Sequence, residues 1–237
     1  MKSCFPRLHH HLAARFTRGE TYGLHMTVGA LLMAGAAWLF GAIAAEVVAQ
    51  SDIVKLDLAL TQWFHAHKHS AWTPFMLFIT HWHQQAGILI MAALLALLLY
   101  RRKAHYWLAT VLLTVPGGML LNVLLKYSFR RARPVFDEPL VTLATYSFPS
   151  GHASGATLFY GVLAAWLVCA HRHGGMRAMV VTGAGTMVAL VALSRVYLGA
   201  HYLSDVLAAI ALGCCWLAVC ITAMSTLRRS REHRADD

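Results

Sequence analysis

The sequence predicts an all-α protein, built as a six-transmembrane-helix bundle with a short amphipathic outer segment. Hydrophobic residues make up 58% of the 237 residues and charged residues only 13%, and the mean hydropathy is +0.55. The apolar residues also gather into long runs, and a helix needs roughly 20 apolar residues to cross a hydrocarbon core of about 30 Å. This composition is too apolar for an ordinary soluble domain, so we expect an integral membrane protein.

Six apolar runs are long enough to be spans. The first follows a basic leader, residues 1–23, and contains Ala42-Ile43-Ala44, which resembles a signal-peptidase site. The run is longer than the apolar region of a signal peptide, so we expect an uncleaved anchor, one six-span domain over 24–227 and a tail over 228–237. The runs are Leu24–Val48, Pro74–Tyr100, His105–Leu125, Ala153–Ala170, Ala178–Leu198 and Val206–Leu227.

Basic clusters at alternate ends of these runs predict the orientation. The positive-inside rule places them in the cytoplasm, and it explains the formal charge of +10 more simply than a nucleic-acid partner does. We therefore expect a bacterial inner-membrane protein with both termini in the cytoplasm and with segments 49–73, 126–152 and 199–205 on the periplasmic side. The clusters are Arg7, Arg15 and Arg18; Arg101, Arg102 and Lys103; Arg172 and Arg177; and Arg228, Arg229, Arg231 and Arg234.

Segment 49–73 mixes aromatic and polar residues, which predicts an amphipathic helix and turn lying flat at the outer interface. Histidines are frequent in and after it: His65, His67, His69, His81 and His83. The alternating first three cannot share one face of a helix, so we favour interfacial polarity or a response to pH over a metal site.

Four of the five cysteines lie in apolar runs, which indicates neither disulfides nor a zinc site. The cysteines are Cys4, Cys169, Cys214, Cys215 and Cys220.

One group of cations lies where the positive-inside rule disfavours it. Lys126, Arg130, Arg131 and Arg133 crowd the predicted outer loop after the third run, and Arg195 lies near the end of the fifth. An ionisable residue at membrane depth is costly unless it is paired or faces a wet cavity. This cost suggests a function for the cations.

Three segments on the predicted outer side bring together the groups that bind phosphate. Lys126, Arg133 and Arg195 can surround its oxygens, the arginines as bidentate forks. Ser150 can cap the fourth span, while free N–H groups near Ser150, Gly151 and His152 point at the anion.

Two histidines and an aspartate supply the groups that phosphoryl transfer needs. His201 and Asp205 are four residues apart on the first turn of the last span, so the carboxylate can accept a hydrogen bond from one imidazole nitrogen. The other nitrogen is then free to act as a nucleophile. His152 can give a proton to the leaving oxygen and later take one from water.

These segments read K-x6-R-P at 126–134, P-S-G-H at 149–152 and S-R-x5-H-x3-D at 194–205. Together they resemble the three signature motifs of the type 2 phosphatidic acid phosphatase superfamily, complete and in order. The resemblance implies a metal-independent phosphatase without a cofactor, in which His201 is the nucleophile, His152 the acid and base, and Asp205 the support of His201. Vanadate-dependent haloperoxidases share the pattern, but a soluble oxidase would not need six apolar runs. The implied phosphate ligands are Lys126, Arg133, Ser150, Gly151 and Arg195.

The expected substrate is an amphiphile that carries a phosphate or a diphosphate, because a site at the membrane surface can take a headgroup while the tail stays in lipid. We favour undecaprenyl diphosphate over phosphatidylglycerophosphate and phosphatidic acid. Arg130 and Arg131, outside the motifs, are candidates for contacting a second phosphate or lipid headgroups.

One alternative function is a phosphotransferase that uses the same residues to phosphorylate a lipid A headgroup or an alcohol. A non-enzymatic lipid transporter or scaffold is another, although no charged residue lies mid-span to mark a path.

Overall fold

The computed structural model describes residues 23–68, 71–137, 140–141 and 143–236, and in these ranges every regular element is an α-helix. Five helices (α1, α5, α6, α7 and α8 below) are each long and apolar enough to cross a membrane. The predicted all-α, multi-span architecture is therefore confirmed. The helices are α1 Leu24–Val48, α2 Asp52–Ala66, α3 Trp72–Trp82, α4 Gln85–Arg101, α5 His105–Phe129, α6 Gly151–Ala170, α7 Gly174–Tyr197 and α8 Leu203–Asp236.

The second predicted span is not the one continuous helix that the sequence predicted over Pro74–Tyr100. Helices α3 and α4 meet at an angle of 56° across a short break, and together they qualify as a span. His83 lies at the break and is buried. Its Nδ1 is 2.7 Å from the Ile79 carbonyl oxygen and its Nε2 is 2.9 Å from the Tyr160 hydroxyl. The ring therefore bonds one of the carbonyls that the end of α3 leaves without a helical partner.

Helix α6 lies at the centre of the bundle, against α4, α5, α7 and α8. Small residues allow this close packing: a Cβ at Gly118 of α5 would lie 2.6 Å from a methyl carbon of Leu158. Because lipid tails are as apolar as these side chains, close van der Waals packing rather than removal from water stabilises these helix contacts. The buried residues of this core are Ile88, Ala92, Leu95, Ala96, Leu99, Val111, Val115, Leu158, Phe159 and Val162.

The first helix has the predicted bounds, Leu24–Val48, whereas the last helix is longer than expected. Helix α8 does not stop at Leu227 but continues to Asp236, so the basic residues of the predicted tail are a continuation of the last span. Helix α1 packs along α8. The basic leader lies outside the described residues except for Gly23, as does Cys4, and the other four cysteines have free thiols.

The predicted amphipathic segment contains a helix, α2. Its inner face carries Leu60 and Phe64, which pack against buried residues of α7 and α8, and it also buries Asp57 and Thr61. Trp63 on the other face is exposed. The helix is thus anchored to the bundle by one face, while its orientation relative to a membrane surface stays a prediction.

The three segments that carry the motifs meet at one end of the bundle. Nη1 of Arg133 donates to the Ala200 carbonyl oxygen at 2.6 Å, and the Ser150 N–H donates to the Asp205 carbonyl oxygen at 3.1 Å. The loop between α5 and α6 is therefore bonded directly to the turn between α7 and α8. That this end faces the periplasm stays a prediction.

Candidate active site

A cavity of about 940 Å³ opens where the ends of α5, α6 and α7 meet the break between α3 and α4. Residues 140–146 of the loop before α6 cover one side of it, apart from residue 142, which is not described. The cavity brings together cations, both motif histidines and the start of a helix. The predicted site residues that line it are Lys126, Arg133, Gly151, His152, Arg195 and His201.

Arg195 is the most deeply buried cation of the cavity, with 2% of the residue exposed. Its Nη1 donates to the Thr80 hydroxyl, whereas Nε and Nη2 have no hydrogen-bond partner among the described residues. Buried donors of a charged group are expensive to leave unbonded, and a guanidinium edge fits two oxygens of one phosphate. Among the described residues, these two nitrogens are thus a buried pair of charged donors without a protein acceptor.

Lys126 and Arg133 hold the loop that covers the cavity. Nζ of Lys126 donates to the carbonyl oxygens of Tyr146 at 2.7 Å and Ser147 at 3.4 Å. Arg133 donates from Nε to the Thr145 carbonyl oxygen at 2.5 Å and from Nη2 to that of Tyr146 at 3.1 Å. The two cations therefore fix the loop as well as supply positive charge to the cavity.

The hydrogen bonds of His201 define its tautomer. Its Nε2 is 3.1 Å from Nη1 of Arg133, and its Nδ1 is 3.4 Å from Oδ2 of Asp205. A guanidinium can only donate, so we assign Nε2 as the acceptor and place the proton on Nδ1, which then donates to the carboxylate. The unprotonated nitrogen, Nε2, is therefore the one bonded to Arg133, which lines the cavity with His201.

Asp205 lies behind His201 and is completely buried. Its Oδ2 also accepts hydrogen bonds from the Ser147 hydroxyl and from the Tyr202 N–H at 2.9 Å. Its other oxygen, Oδ1, accepts from Nη1 of Arg131 at 2.7 Å. Both oxygens are thus bonded, and this keeps the buried carboxylate ionised and fixed in orientation.

Arg131 is paired with two carboxylates, and its contact with a second phosphate stays a prediction. Only 9% of its side chain is exposed, and its guanidinium pairs with Asp205 and, at 2.8 Å, with Oδ2 of Asp57. Burial favours a lower pKa for Arg131, but the two carboxylates outweigh it and raise the pKa above its usual value. Arg130 is exposed, donates from Nε to the Tyr127 carbonyl oxygen at 3.0 Å and does not line the cavity.

The N-terminus of α6 also differs from the expectation. Ser150 occupies the N-cap position, but its hydroxyl makes no capping bond and is buried without a partner among the described residues. The backbone N–H of Ser150 donates to the backbone carbonyl oxygen of Asp205 and is therefore not free for an anion. Gly151 and His152 supply the first helical N–H groups, which have no acceptor within the helix. A Cβ at Gly151 would lie 3.5 Å from the Asn122 side-chain oxygen, which is an ordinary van der Waals distance, so the packing does not itself require glycine there.

Three polar residues outside the motifs complete the site and were not expected from the sequence. Thr80 orients Arg195, Ser147 bonds Asp205, and Asp57 pairs with Arg131. One feature of the sequence could have indicated Asp57: it is an acidic residue on the apolar face of an amphipathic helix, where a carboxylate is costly without a partner. No feature of the sequence indicates Thr80 or Ser147, because serine and threonine are common in helices and loops.

The described histidines near the outer segment make ring contacts and hydrogen bonds. Within the described ranges, no three His, Cys, Asp or Glu residues lie close enough together to hold a metal ion. The ring of His65 stacks on Phe136 and that of His67 on Trp63, while His81 lies 3.2 Å from the Gln84 amide nitrogen. His69 lies outside the described residues.

Burial of His201 predicts a loss of stability in acid. Burial lowers the pKa of His201 to about 3, against the opposing effect of Asp205. The unfolded chain binds a proton below about pH 6.5 that the folded chain does not, so stability falls as the pH falls from about 6.5 to about 3. The slope from this group approaches about 1.4 kcal/mol per pH unit. Thermal unfolding in detergent at pH 7.5 and pH 5 should show a smaller difference for His201→Gln than for the wild type, and equal differences would contradict the prediction.

Comparison with known proteins identifies the family. The family model described as PAP2 superfamily matches residues 106–229, just over half of the chain. The chain belongs to the PAP2 superfamily. The matched region contains all three motifs, so the resemblance predicted from the motifs is confirmed.

Relatives of this PAP2 protein are phosphatases. Phosphatidylglycerophosphatase B of Bacillus subtilis is 34% identical over 182 residues, which cover 74% of this chain and 87% of that protein. A decaprenylphosphoryl-5-phosphoribose phosphatase of Mycobacterium tuberculosis is 38% identical over 132 residues, 54% of this chain and 66% of that one. The PAP2 chain is therefore a lipid phosphatase of the same type as phosphatidylglycerophosphatase B.

Solved PAP2 structures share the fold. The crystal structure of a transmembrane PAP2 type phosphatidylglycerolphosphate phosphatase from Bacillus subtilis superposes with a TM-score of 0.71 at 30% identity, covering 80% of this chain and 94% of that one. LpxE of Aquifex aeolicus superposes with a TM-score of 0.57 at 19% identity, covering 70% of this chain and 94% of that one. The second likeness concerns the fold alone.

Proposed function

We propose that this chain hydrolyses the terminal phosphate of a membrane lipid through a phosphohistidine formed on His201, without a metal ion. The observation that carries the proposal is that one cavity is lined both by Arg195, two of whose guanidinium nitrogens have no partner among the described residues, and by His201, whose Nε2 is unprotonated. The first holds two oxygens of a phosphate, and the second is a nucleophile for its phosphorus. Asp205 stabilises the positive charge that His201 acquires on attack.

In the first step, Nε2 of His201 forms a bond to phosphorus, and the bond between phosphorus and the lipid oxygen breaks. Arg195, Lys126 and Arg133 stabilise the charge on the three non-bridging oxygens, and the N–H groups of Gly151 and His152 add to it. His152, which lines the same cavity, gives the departing oxygen a proton, so the lipid leaves as an alcohol.

In the second step, water attacks the phosphohistidine. His152, now unprotonated, takes one proton from the water as its oxygen bonds to phosphorus. The bond between phosphorus and Nε2 breaks, which releases inorganic phosphate and returns His201 to its neutral form. Both histidines end the cycle as they began it.

Among lipid phosphates, we place phosphatidylglycerophosphate first. The basic loop had favoured undecaprenyl diphosphate, but Arg131 is paired with two carboxylates and Arg130 does not line the cavity. The cavity thus offers its cations around one phosphate. The relative named phosphatidylglycerophosphatase B, which matches most of its own length, supports the same ranking. By the positive-inside rule we place this end of the bundle at the periplasmic face.

The test is phosphate release by the purified, EDTA-treated protein in detergent. We expect release from phosphatidylglycerophosphate to be faster than from undecaprenyl diphosphate and from phosphatidic acid. Release that requires an added divalent ion would contradict the metal-independent mechanism. Binding of all three lipids without release would favour the transporter or scaffold, and release only when an alcohol acceptor becomes phosphorylated would favour the phosphotransferase.

A further inference from the structure

Asp57 is a buried carboxylate at the active-site end of the bundle that the mechanism above does not use. It lies on α2, and 1% of the residue is exposed. Its Oδ1 accepts a hydrogen bond from the Ser204 N–H at 2.9 Å, and its Oδ2 accepts from the Ser204 hydroxyl and from Nη2 of Arg131 at 2.8 Å. A buried carboxylate with this many donors is held in one place.

These bonds connect Asp57 to Asp205 by two routes. Ser204 precedes Asp205 on the first turn of α8, where the N–H groups have no helical acceptor, so Asp57 caps α8 from another helix. Arg131 bonds Asp57 with Nη2 and Asp205 with Nη1, at 2.8 and 2.7 Å. One guanidinium is thus divided between two carboxylates.

The division determines which oxygen of Asp205 is left for His201. Because Nη2 of Arg131 is held by Asp57, Arg131 bonds only Oδ1 of Asp205, and Oδ2 stays with His201, Ser147 and the Tyr202 N–H. Nη1 of Arg131 also donates to the Ser204 hydroxyl at 2.7 Å, whereas the acceptor of Nη2 is Asp57. If Asp57 no longer accepts from Nη2, the bidentate arrangement is favoured, with both nitrogens on one carboxylate. Arg131 would then compete with Nδ1 of His201 for Oδ2.

We propose that Asp57 is a positioning residue for phosphoryl transfer, which keeps Arg131 on one oxygen of Asp205 so that the other oxygen orients His201. This inference rests on the proposed roles of His201 and Asp205. It assigns a part in the reaction to the amphipathic helix α2, which contributes no residue to the lining of the cavity.

The first test is Asp57→Asn, assayed for phosphate release from phosphatidylglycerophosphate. The rate is expressed per vanadate-binding site, because vanadate mimics five-coordinate phosphorus and counts only intact sites. We expect kcat to fall about tenfold, as for other residues that orient a reacting group indirectly. KM should stay within about twofold, since Asp57 does not face the cavity. The matched control is Asp52→Asn on the same helix, whose exposed carboxylate pairs with Lys55 and should leave kcat unchanged.

The second test adds Arg131→Gln to Asp57→Asn, which removes the competing guanidinium and the charge it would leave unpaired. We expect the double variant to have a higher kcat than Asp57→Asn alone, because Oδ2 of Asp205 returns to His201. A role of Asp57 in stability alone predicts no such recovery per vanadate-binding site. Wild-type kcat in Asp57→Asn, or a double variant no faster than Asp57→Asn, overturns the inference.

Failure of the proposed function would look different. If the wild type releases no phosphate, or if His201→Ala is as active as the wild type, the mechanism itself is wrong. If the wild type is active and His201→Ala is not, while Asp57→Asn equals the wild type, only the role of Asp57 is wrong.

Discussion

Replacement of His201 by alanine is expected to lower phosphate release by roughly ten-thousand-fold or more, because the variant has no atom to receive the phosphoryl group. The cations that bind the substrate stay in place, so the variant should still bind the lipid. The measurement is kcat in detergent, alongside the elution profile and circular dichroism spectrum of the variant.

The matched control is His171→Ala. His171 ends the helix that Gly151 begins, and its Nδ1 bonds the Leu167 carbonyl oxygen at 2.9 Å, far from the cavity lining. We expect wild-type kcat in this variant. Activity within tenfold of the wild type in His201→Ala would rule out a phosphohistidine at this position.

Replacement of Arg195 by lysine is expected to lower kcat/KM by about a hundredfold to a thousandfold, although the charge is retained. The guanidinium bonds Thr80 through Nη1, and within the described part of the chain Nε and Nη2 have no acceptor. A single ammonium group cannot bond Thr80 and also hold two oxygens of a phosphate. Because these bonds strengthen as charge develops on phosphorus, kcat should fall more than KM rises.

Arg177→Lys is the control for this substitution. Arg177 lies at the opposite end of α7, is exposed, and donates from Nε to the carbonyl oxygens of Val168 and His171 at 3.1 and 2.8 Å. Its replacement should leave kcat/KM unchanged. If Arg195→Lys also retains wild-type kcat/KM, charge alone suffices there and the bidentate contact plays no part.

The spans were predictable because membrane helices need long apolar runs, and these are visible in hydropathy. The break between α3 and α4 was missed because hydropathy averages over a window that spans the short polar stretch from His81 to Gln85. The extension of α8 was missed for a related reason, since a charged continuation ends an apolar run without ending the helix.

The site was predictable to the extent that its residues lie in motifs. The cavity lining brings together Lys126, Arg133, His152, Arg195 and His201, which are far apart in the sequence. The network around Asp205 was not predictable. Asp57, which shares Arg131 with Asp205, is more than a hundred residues away in the chain, and the residues next to it in the sequence do not indicate its partner. The ion pairs of Arg131 were not predictable either, because the sequence shows a cation but not the carboxylates that surround it.

The bond between Arg133 and His201 has a consequence for reactivity. Nη1 of Arg133 donates to Nε2 of His201 at 3.1 Å, and a lone pair cannot accept that bond and attack phosphorus at the same moment. An incoming electrophile must therefore accept the hydrogen bond from the Arg133 guanidinium when it contacts the imidazole of His201. An anionic phosphate offers the arginine new acceptors, whereas a neutral electrophile offers none. Under the proposed mechanism, the nucleophile is thus chemically selective in its own right, and discrimination by charge precedes recognition of the lipid.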